Sequence, residues 1–339
     1  MEQTYSFDDV LLVPQYSRIE SRSEIDIASM LDSKSKFELP VISSPMDTVT
    51  ESAMASILCK AGGLGILHRY NSVSEQSLMA KESISHGATS LAAAVGATGD
   101  YVERAMALCD AGTRFICVDI AHGHHLLMRT ALRNLRSALG SDIHIMAGNV
   151  ATLGAFEDLA DWGADSVRVG IGGGSICSTR IVTGHGIPTL QSILDCARTS
   201  YDTKIIADGG IKTSGDIVKA LAAGADFVMV GSMLAGTNET PGEVLHGSDG
   251  QKFKEYRGMA SREAQRSWRG KSSSPEGVSA MVPYRGPVED ILKDLAGGIR
   301  SGLSYTGVRN IGELQSRARF ILQSSASQLE SSTHILWRK

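Results

Sequence analysis

The feature that most restricts how this chain can fold is a rhythm of eight short apolar runs separated by amphipathic stretches. The runs lie at residues 39–44, 63–67, 90–95, 115–119, 143–147, 166–170, 204–207 and 227–230. Helical patterns fall between them at 51–61, 100–111, 125–139, 152–162, 190–199 and 214–223. Strand and helix alternating eight times, at about 25-residue spacing, predict an α/β fold of the (β/α)8 TIM-barrel type. One interval breaks the rhythm. The sixth and seventh runs stand about a dozen residues further apart than the others, and in this fold the active site is built from loops that follow the strands. The surplus chain is therefore where a site is expected.

That surplus holds Gly170, Gly172, Gly173 and Gly174, then Ser175, Cys177 and Thr179. Clustered glycines let the backbone take positive φ and come close to a ligand. A thiol on such a loop is a nucleophile candidate if its neighbours favour the thiolate. The competing reading is that a free cysteine packs as a small hydrophobe. Cys59, Cys109, Cys117 and Cys196 sit in helix and strand patterns and read as core; the glycine setting separates Cys177 from them.

The last two runs add to the case. Asp208, Gly209 and Gly210 follow the seventh, and Gly231 and Ser232 follow the eighth. Barrels of this type frequently bind a phosphate there, through backbone N–H groups and a helix N-terminus. Asp208 is placed to accept hydrogen bonds from a ribose diol. The alternative is that the glycines merely make tight turns. A nucleoside monophosphate fits the pattern, and FMN would use the same cradle.

Composition narrows the class. The chain has 339 residues, 42% hydrophobic, with net charge -4, which gives no basic excess for nucleic acid. No apolar run is long enough to span a membrane, and no charged-then-apolar leader opens the sequence. Five cysteines without framework spacing point to a reducing, cytoplasmic setting. His122, His124 and His125 invite a metal reading, but no Glu-x-x-His or Cys spacing accompanies them. The polar stretch from 261 to 277, ending in Pro275, Glu276 and Gly277, reads as a mobile surface flap. Beyond it, helices are expected at 288–301 and 311–320, then a polar tail ending in Trp337, Arg338 and Lys339. No composition break appears, so residues 1–339 read as one catalytic domain with a C-terminal extension.

Eight segments stand out along nearly the whole chain: 7–14 (FDDVLLVP), 43–49 (SSPMDTV), Gly148 with Asn149, 170–180 (GIGGGSICSTR), 207–210 (ADGG), 230–232 (VGS), 256–259 (YRGM) and 275–277 (PEG). Together they resemble the IMP dehydrogenase/GMP reductase family. The resemblance implies that Cys177 attacks C2 of a purine and holds a covalent thioimidate. It implies nucleotide contacts at Ser44, Met46, Arg168, Ser175, Asp208, Gly209, Gly210, Gly231, Ser232, Tyr256, Gly258 and Met259. Asp119, Asn149 and Gly170 correspond to the side that takes the nicotinamide cofactor. The carbonyls of Gly172, Gly174 and Cys177, with Glu330 from a neighbouring subunit, correspond to a potassium site. Family members are commonly homotetramers.

Two chemistries share that intermediate in the family. A dehydrogenase oxidises IMP with NAD and hydrolyses the thioimidate to XMP. A reductase displaces ammonia from GMP and delivers hydride from NADPH to give IMP. Typical dehydrogenases place an Arg-Tyr pair on the flap, whereas here no tyrosine lies between Tyr256 and Tyr284. The second run also reaches the third through one helix's worth of chain, which leaves no room for regulatory CBS domains. Both features favour a reductase, with Thr179 and Glu276 assisting the departing ammonia. Residues 118–124 (VDIAHGH) and 67–69 (LHR) resemble the dehydrogenases instead. The alternatives are a dehydrogenase lacking CBS domains and a divergent enzyme for a modified purine nucleotide. Outside the family stand a flavin-dependent barrel and a non-catalytic nucleotide sensor.

Overall fold

The computed structural model describes residues 2–331; the tail end at Trp337, Arg338 and Lys339 lies outside the described residues. Eight parallel strands close into a barrel: β1 (Val41–Ser43), β2 (Leu64–Leu67), β3 (Ala92–Val95), β4 (Phe115–Asp119), β5 (His144–Val150), β6 (Ser166–Val169), β7 (Lys204–Asp208) and β8 (Phe227–Val230). Each pairs with its sequence neighbour, and β8 returns to β1 through Val228 opposite Val41. All eight strands sit where the apolar runs predicted them. These strands read as continuous apolar runs because both faces are covered. Alternate residues point inward, where Ile42, Ile66, Phe115, Met146, Ile206 and Phe227 pack together. Their neighbours on the same strands point outward to the helices, as Val41, Ile116 and Val118 do.

One end of the barrel is plugged by an antiparallel hairpin, Ser29–Asp32 with Ser35–Phe37. Phe37 enters the interior and meets Phe115 and Phe227 edge-on, at centroid distances of 5.8 and 5.7 Å. Truncating Phe227 to alanine would cost about 3–5 kcal/mol, because so enclosed a site cannot collapse around the cavity.

The outer ring consists of α1 (Ser52–Lys60), α2 (Val73–Ser85), α3 (Tyr101–Asp110), α4 (Leu126–Leu139), α5 (Leu153–Asp161), α6 (Thr189–Cys196), α7 (Ser214–Ala222) and α8 (Val288–Thr306). Several start where a polar side chain takes up a free amide. Ser72 and Glu75 form a reciprocal capping box, as do Thr213 and Asp216. Helix α8 runs past the expected end near Gly302. A Cβ on Gly298 would lie 2.3 Å from the Ser214 hydroxyl, and one on Gly302 would lie 2.6 Å from Val218. These glycines are there for close packing against α7, and the helix stops at Gly307, whose φ is +70°.

Two other expectations are corrected. The helix after α8 covers Ile311–Arg317 only, because Phe320–Leu322 pairs as a strand with Val10–Leu12 near the N-terminus. The flap is not an irregular loop. It carries a helix, Arg262–Arg269, capped by Ser261 at one end and by Gly270 (φ +71°) at the other. It rises from an antiparallel pair, Lys252–Arg257 with Ser279–Pro283. Of the cysteines read as core, Cys117 and Cys196 are buried, whereas Cys59 and Cys109 are half-buried at the ends of α1 and α3. Among the described residues no helix is long and apolar enough to cross a membrane.

Candidate active site

A cavity of about 680 Å³ opens at the end of the barrel where the strands give way to their following loops. That is within the usual range for small-molecule sites. Of the expected site residues, Glu330 is the only one that does not line it. Glu330 ends the helix Ser325–Glu330.

The candidate nucleophile is Cys177. Its thiol donates to Thr179 Oγ1 at 3.2 Å, and Thr179 donates to Glu276 Oε2 at 2.8 Å. Backbone pairing fixes this line. The Ser178 amide donates to the Glu276 carbonyl at 2.9 Å, Val278 donates to Ile176 at 3.0 Å, and Cys177 bridges to Gly277. The flap is thus zipped to the cysteine loop as a short irregular ladder, which puts a thiol and a carboxylate on either side of one hydroxyl. The Gly174 carbonyl, an expected cation ligand, accepts the Cys177 amide at 3.1 Å. A carbonyl oxygen has a second lone pair, so this bond leaves it able to hold a cation.

The glycines of the loop are spatial requirements. Gly170 has φ +145°, and a Cβ there would lie 1.9 Å from the Asp208 carbonyl. A Cβ on Gly173 would lie 2.6 Å from Thr189 Oγ1. Strands β6 and β7 can therefore bring their loops together only without side chains at these points.

Across the cavity floor runs a charge network. Arg168 Nη1 meets Asp119 Oδ1 at 2.6 Å, and Arg168 Nη2 meets Asp208 Oδ2 at 2.9 Å. Asn149 Nδ2 also donates to Asp208 Oδ2 at 2.8 Å and to the Gly170 carbonyl at 2.9 Å. Burial alone would raise the Asp119 carboxyl, but Arg168 and Arg69 outweigh it and hold the group below the ordinary carboxylate range. Burial likewise opposes the charge on Arg168, and Asp208 and Asp119 overcome it. Arg168 is thus held by two carboxylates, and it fixes where Asp119 and Asp208 stand.

The remaining polar wall is a hydroxyl cluster around Gly231. A Cβ on Gly231 would meet Tyr256 Oη at 3.1 Å, Met46 Sδ at 3.3 Å and Ser44 Oγ at 3.3 Å. Tyr256 hydrogen-bonds Ser175 and Ser232, while burial keeps its phenol above the ordinary value. Gly209 and Gly210 stand beside the cluster with φ of +95° and +76°. Hydroxyls and backbone amides around a side-chain-free position suit a phosphate. The flap root is tied to the loop after β1, since Arg257 pairs with Asp47 and the Asp47 amide donates to Met259 Sδ at 3.4 Å.

Sequence reasoning missed Tyr70 after β2 and Gln265 and Trp268 of the flap helix, which line the cavity beside Arg69, Arg180 and Arg269. The Ser261 cap and Gly270 stop were the available signals for that helix. His124 pairs with Asp158 at 2.7 Å and stacks on Trp162, which gives it a structural partner. Among the described residues no group of three His, Cys, Asp or Glu side chains is arranged to hold a metal.

The IMP dehydrogenase / GMP reductase domain matches residues 4–334. An inosine-5'-monophosphate dehydrogenase from Nitrosopumilus maritimus is 36% identical, covering 97% of this chain and 98% of that protein. A GMP reductase from Leishmania major is 34% identical, covering 97% and 96%. The crystal structure of the C318A variant of GMP reductase from Trypanosoma brucei, in complex with guanosine 5'-monophosphate, superposes with a TM-score of 0.93 at 32% identity, over 99% of both chains. A domain match over nearly the full length, joined to a closed barrel and a cysteine on its glycine loop, places the chain in the IMP dehydrogenase/GMP reductase family of oxidoreductases.

Proposed function

We propose that the chain is a GMP reductase-type enzyme that converts GMP, NADPH and two protons to IMP, NADP+ and ammonium. The observation that carries this reading is the unbroken line from Cys177 through Thr179 to Glu276. Displacing an amine needs a proton at the leaving nitrogen, and this line ends in a carboxylate that can take one from the thiol and give it back. As the Cys177 sulfur bonds to C2 of the base, its proton passes through Thr179 to Glu276. Glu276 then protonates the 2-amino group, the C2–N bond breaks, and ammonia leaves behind a thioimidate on Cys177. A reduced nicotinamide held beside Asp119 and Asn149 would supply hydride to C2, and the C2–S bond then breaks with its electrons returning to the Cys177 sulfur.

The other residues bind and orient. The cluster of Ser44, Ser175, Ser232 and Tyr256 around Gly231 suits the phosphate, and Asp208, fixed by Arg168 and Asn149, suits the ribose diol. Asp119 and Asn149 border the space left for the cofactor. The GMP named in the Trypanosoma brucei structure is consistent with a purine nucleotide here.

A second reading, the oxidation of IMP to XMP with NAD, is favoured by one observation. Arg269 of the flap helix lines the cavity beside Tyr70, where a base could activate water. Relatives of both names match at similar identity. Absorbance at 340 nm separates the readings. GMP with NADPH should lose signal and release ammonia, whereas gain of signal from IMP, NAD and potassium would overturn the reductase. Silence in both would direct the search to a modified purine nucleotide.

A further inference from the structure

We propose that Tyr70 is a positioning residue: its ring is the seat on which the flap helix docks through Trp268, and that seat sets the reach of Glu276 to Thr179. Tyr70 stands on the turn after β2, outside every motif that carried the sequence reading. Its amide donates to His68 Nδ1 at 3.2 Å, and His68 Nε2 meets Glu51 at 3.0 Å. The Arg69 guanidinium lies over the ring at 4.9 Å, and Arg69 is itself tied to Asp119, by a 3.5 Å ion pair and a 3.1 Å bond to its carbonyl. The ring is thus gripped by the barrel from behind. Trp268 meets it from the flap side, edge to face, with centroids 6.0 Å apart.

The flap helix needs such a seat at its C-terminal end. Its N-terminal end is already fixed, because Ser261 accepts the Ala264 amide at 3.1 Å and Gln265 bonds both the Ala260 carbonyl (3.0 Å) and the Ser273 amide (2.8 Å). Trp268 lies in the last turn, and the chain then returns through Gly270 to Glu276. Where the helix ends decides where that return begins, so the Tyr70–Trp268 contact bears on the Thr179–Glu276 hydrogen bond. An apolar seat is consistent with the phenol, which burial pushes up to about 12 and keeps uncharged at neutral pH.

The proposal rests on the role given to Glu276 for its kinetic arm only. The test uses Tyr70→Leu, Tyr70→Phe, Glu276→Gln and the Tyr70→Leu/Glu276→Gln double variant of the full chain. Trp162 and Trp337 are replaced by phenylalanine so that Trp268 is the one emitter. Tyr70→Leu should lower kcat about tenfold or more while the nucleotide KM stays within about twofold, the signature of a lost orientation rather than lost binding. Tyr70→Phe should rescue kcat, and Tyr70→Leu should add nothing in the Glu276→Gln background. Trp268 emission should shift to the red in Tyr70→Leu without any substrate. A phenylalanine variant as damaged as the leucine variant, or multiplying losses in the double variant, would overturn the proposal. So would unchanged emission. If the parent protein turns over neither substrate pair, the functional reading fails while the emission still decides the seat.

Discussion

Thr179 Oγ1 and Glu276 Oε2 lie 2.8 Å apart although 97 residues separate them in the chain. One belongs to the loop after β6 and the other to the returning arm of the flap, so the hydrogen bond exists only when the flap is down on the barrel. Glu276→Gln keeps the shape and removes the proton acceptor, and we expect kcat to fall about 10²–10⁴-fold. Cys177→Ala should abolish turnover yet leave GMP binding within a few-fold. Calorimetric titration beside the 340 nm assay checks both, and an active alanine variant would mean that no thioimidate forms.

Arg168→Met should destabilise the protein by about 3–5 kcal/mol. It strands Asp119 and Asp208, two carboxylates whose burial is compensated by that guanidinium. The check is urea denaturation at pH 7, and a loss below about 1 kcal/mol would show that Arg69 and Asn149 suffice to hold the pair.

Gly231→Ala should raise the nucleotide KM about tenfold or more with little change in melting temperature. The added methyl points among Tyr256, Met46 and Ser44, whose nearest atoms stand at 3.1–3.3 Å and can yield by a few tenths of an ångström. It would nevertheless occupy the space between the hydroxyls, and about 1.4 kcal/mol of lost phosphate contact is a tenfold change. An unaltered KM would move the phosphate elsewhere.

Asp226 gives a pH dependence of stability. Burial raises its carboxyl to about 6 from an ordinary 3.8, against the Ile205 amide that bonds its ionised form. Between roughly pH 4 and 6 the folded protein therefore holds a proton that the unfolded chain has released, so this group's contribution falls as pH rises through that window. The total is at most about 3 kcal/mol, from about two pK units. Asp226→Asn should flatten the window and raise the melting temperature at pH 7; identical curves for the two proteins across pH 4–7 would refute this.

The barrel was legible because its eight strands are short, doubly buried and regularly spaced, so that burial left a direct trace in apolar runs. The cysteine loop was legible for the opposite reason. Gly170, Gly172 and Gly173 sit where a Cβ or a negative φ is excluded, and such positions show as glycine in any reading. The flap helix left little trace, because its residues are mostly polar and only Ala264 and Gln265 are buried. The missed end of α8 has the same character. Gly298 and Gly302 look like helix breakers in isolation and become packing residues only once α7 lies against them.

The sequence by itself determined the strand–helix alternation, the place of the candidate nucleophile and the glycine-lined loops, since these follow from local periodicity and from positions that tolerate no side chain. Only the tertiary structure decided the partners. That Arg168 is shared between Asp119 and Asp208, that Glu276 reaches Thr179, and that Tyr70 seats Trp268 are contacts between segments far apart in sequence. Closing the barrel brings their loops to one end, and no local pattern records which side chains will meet there.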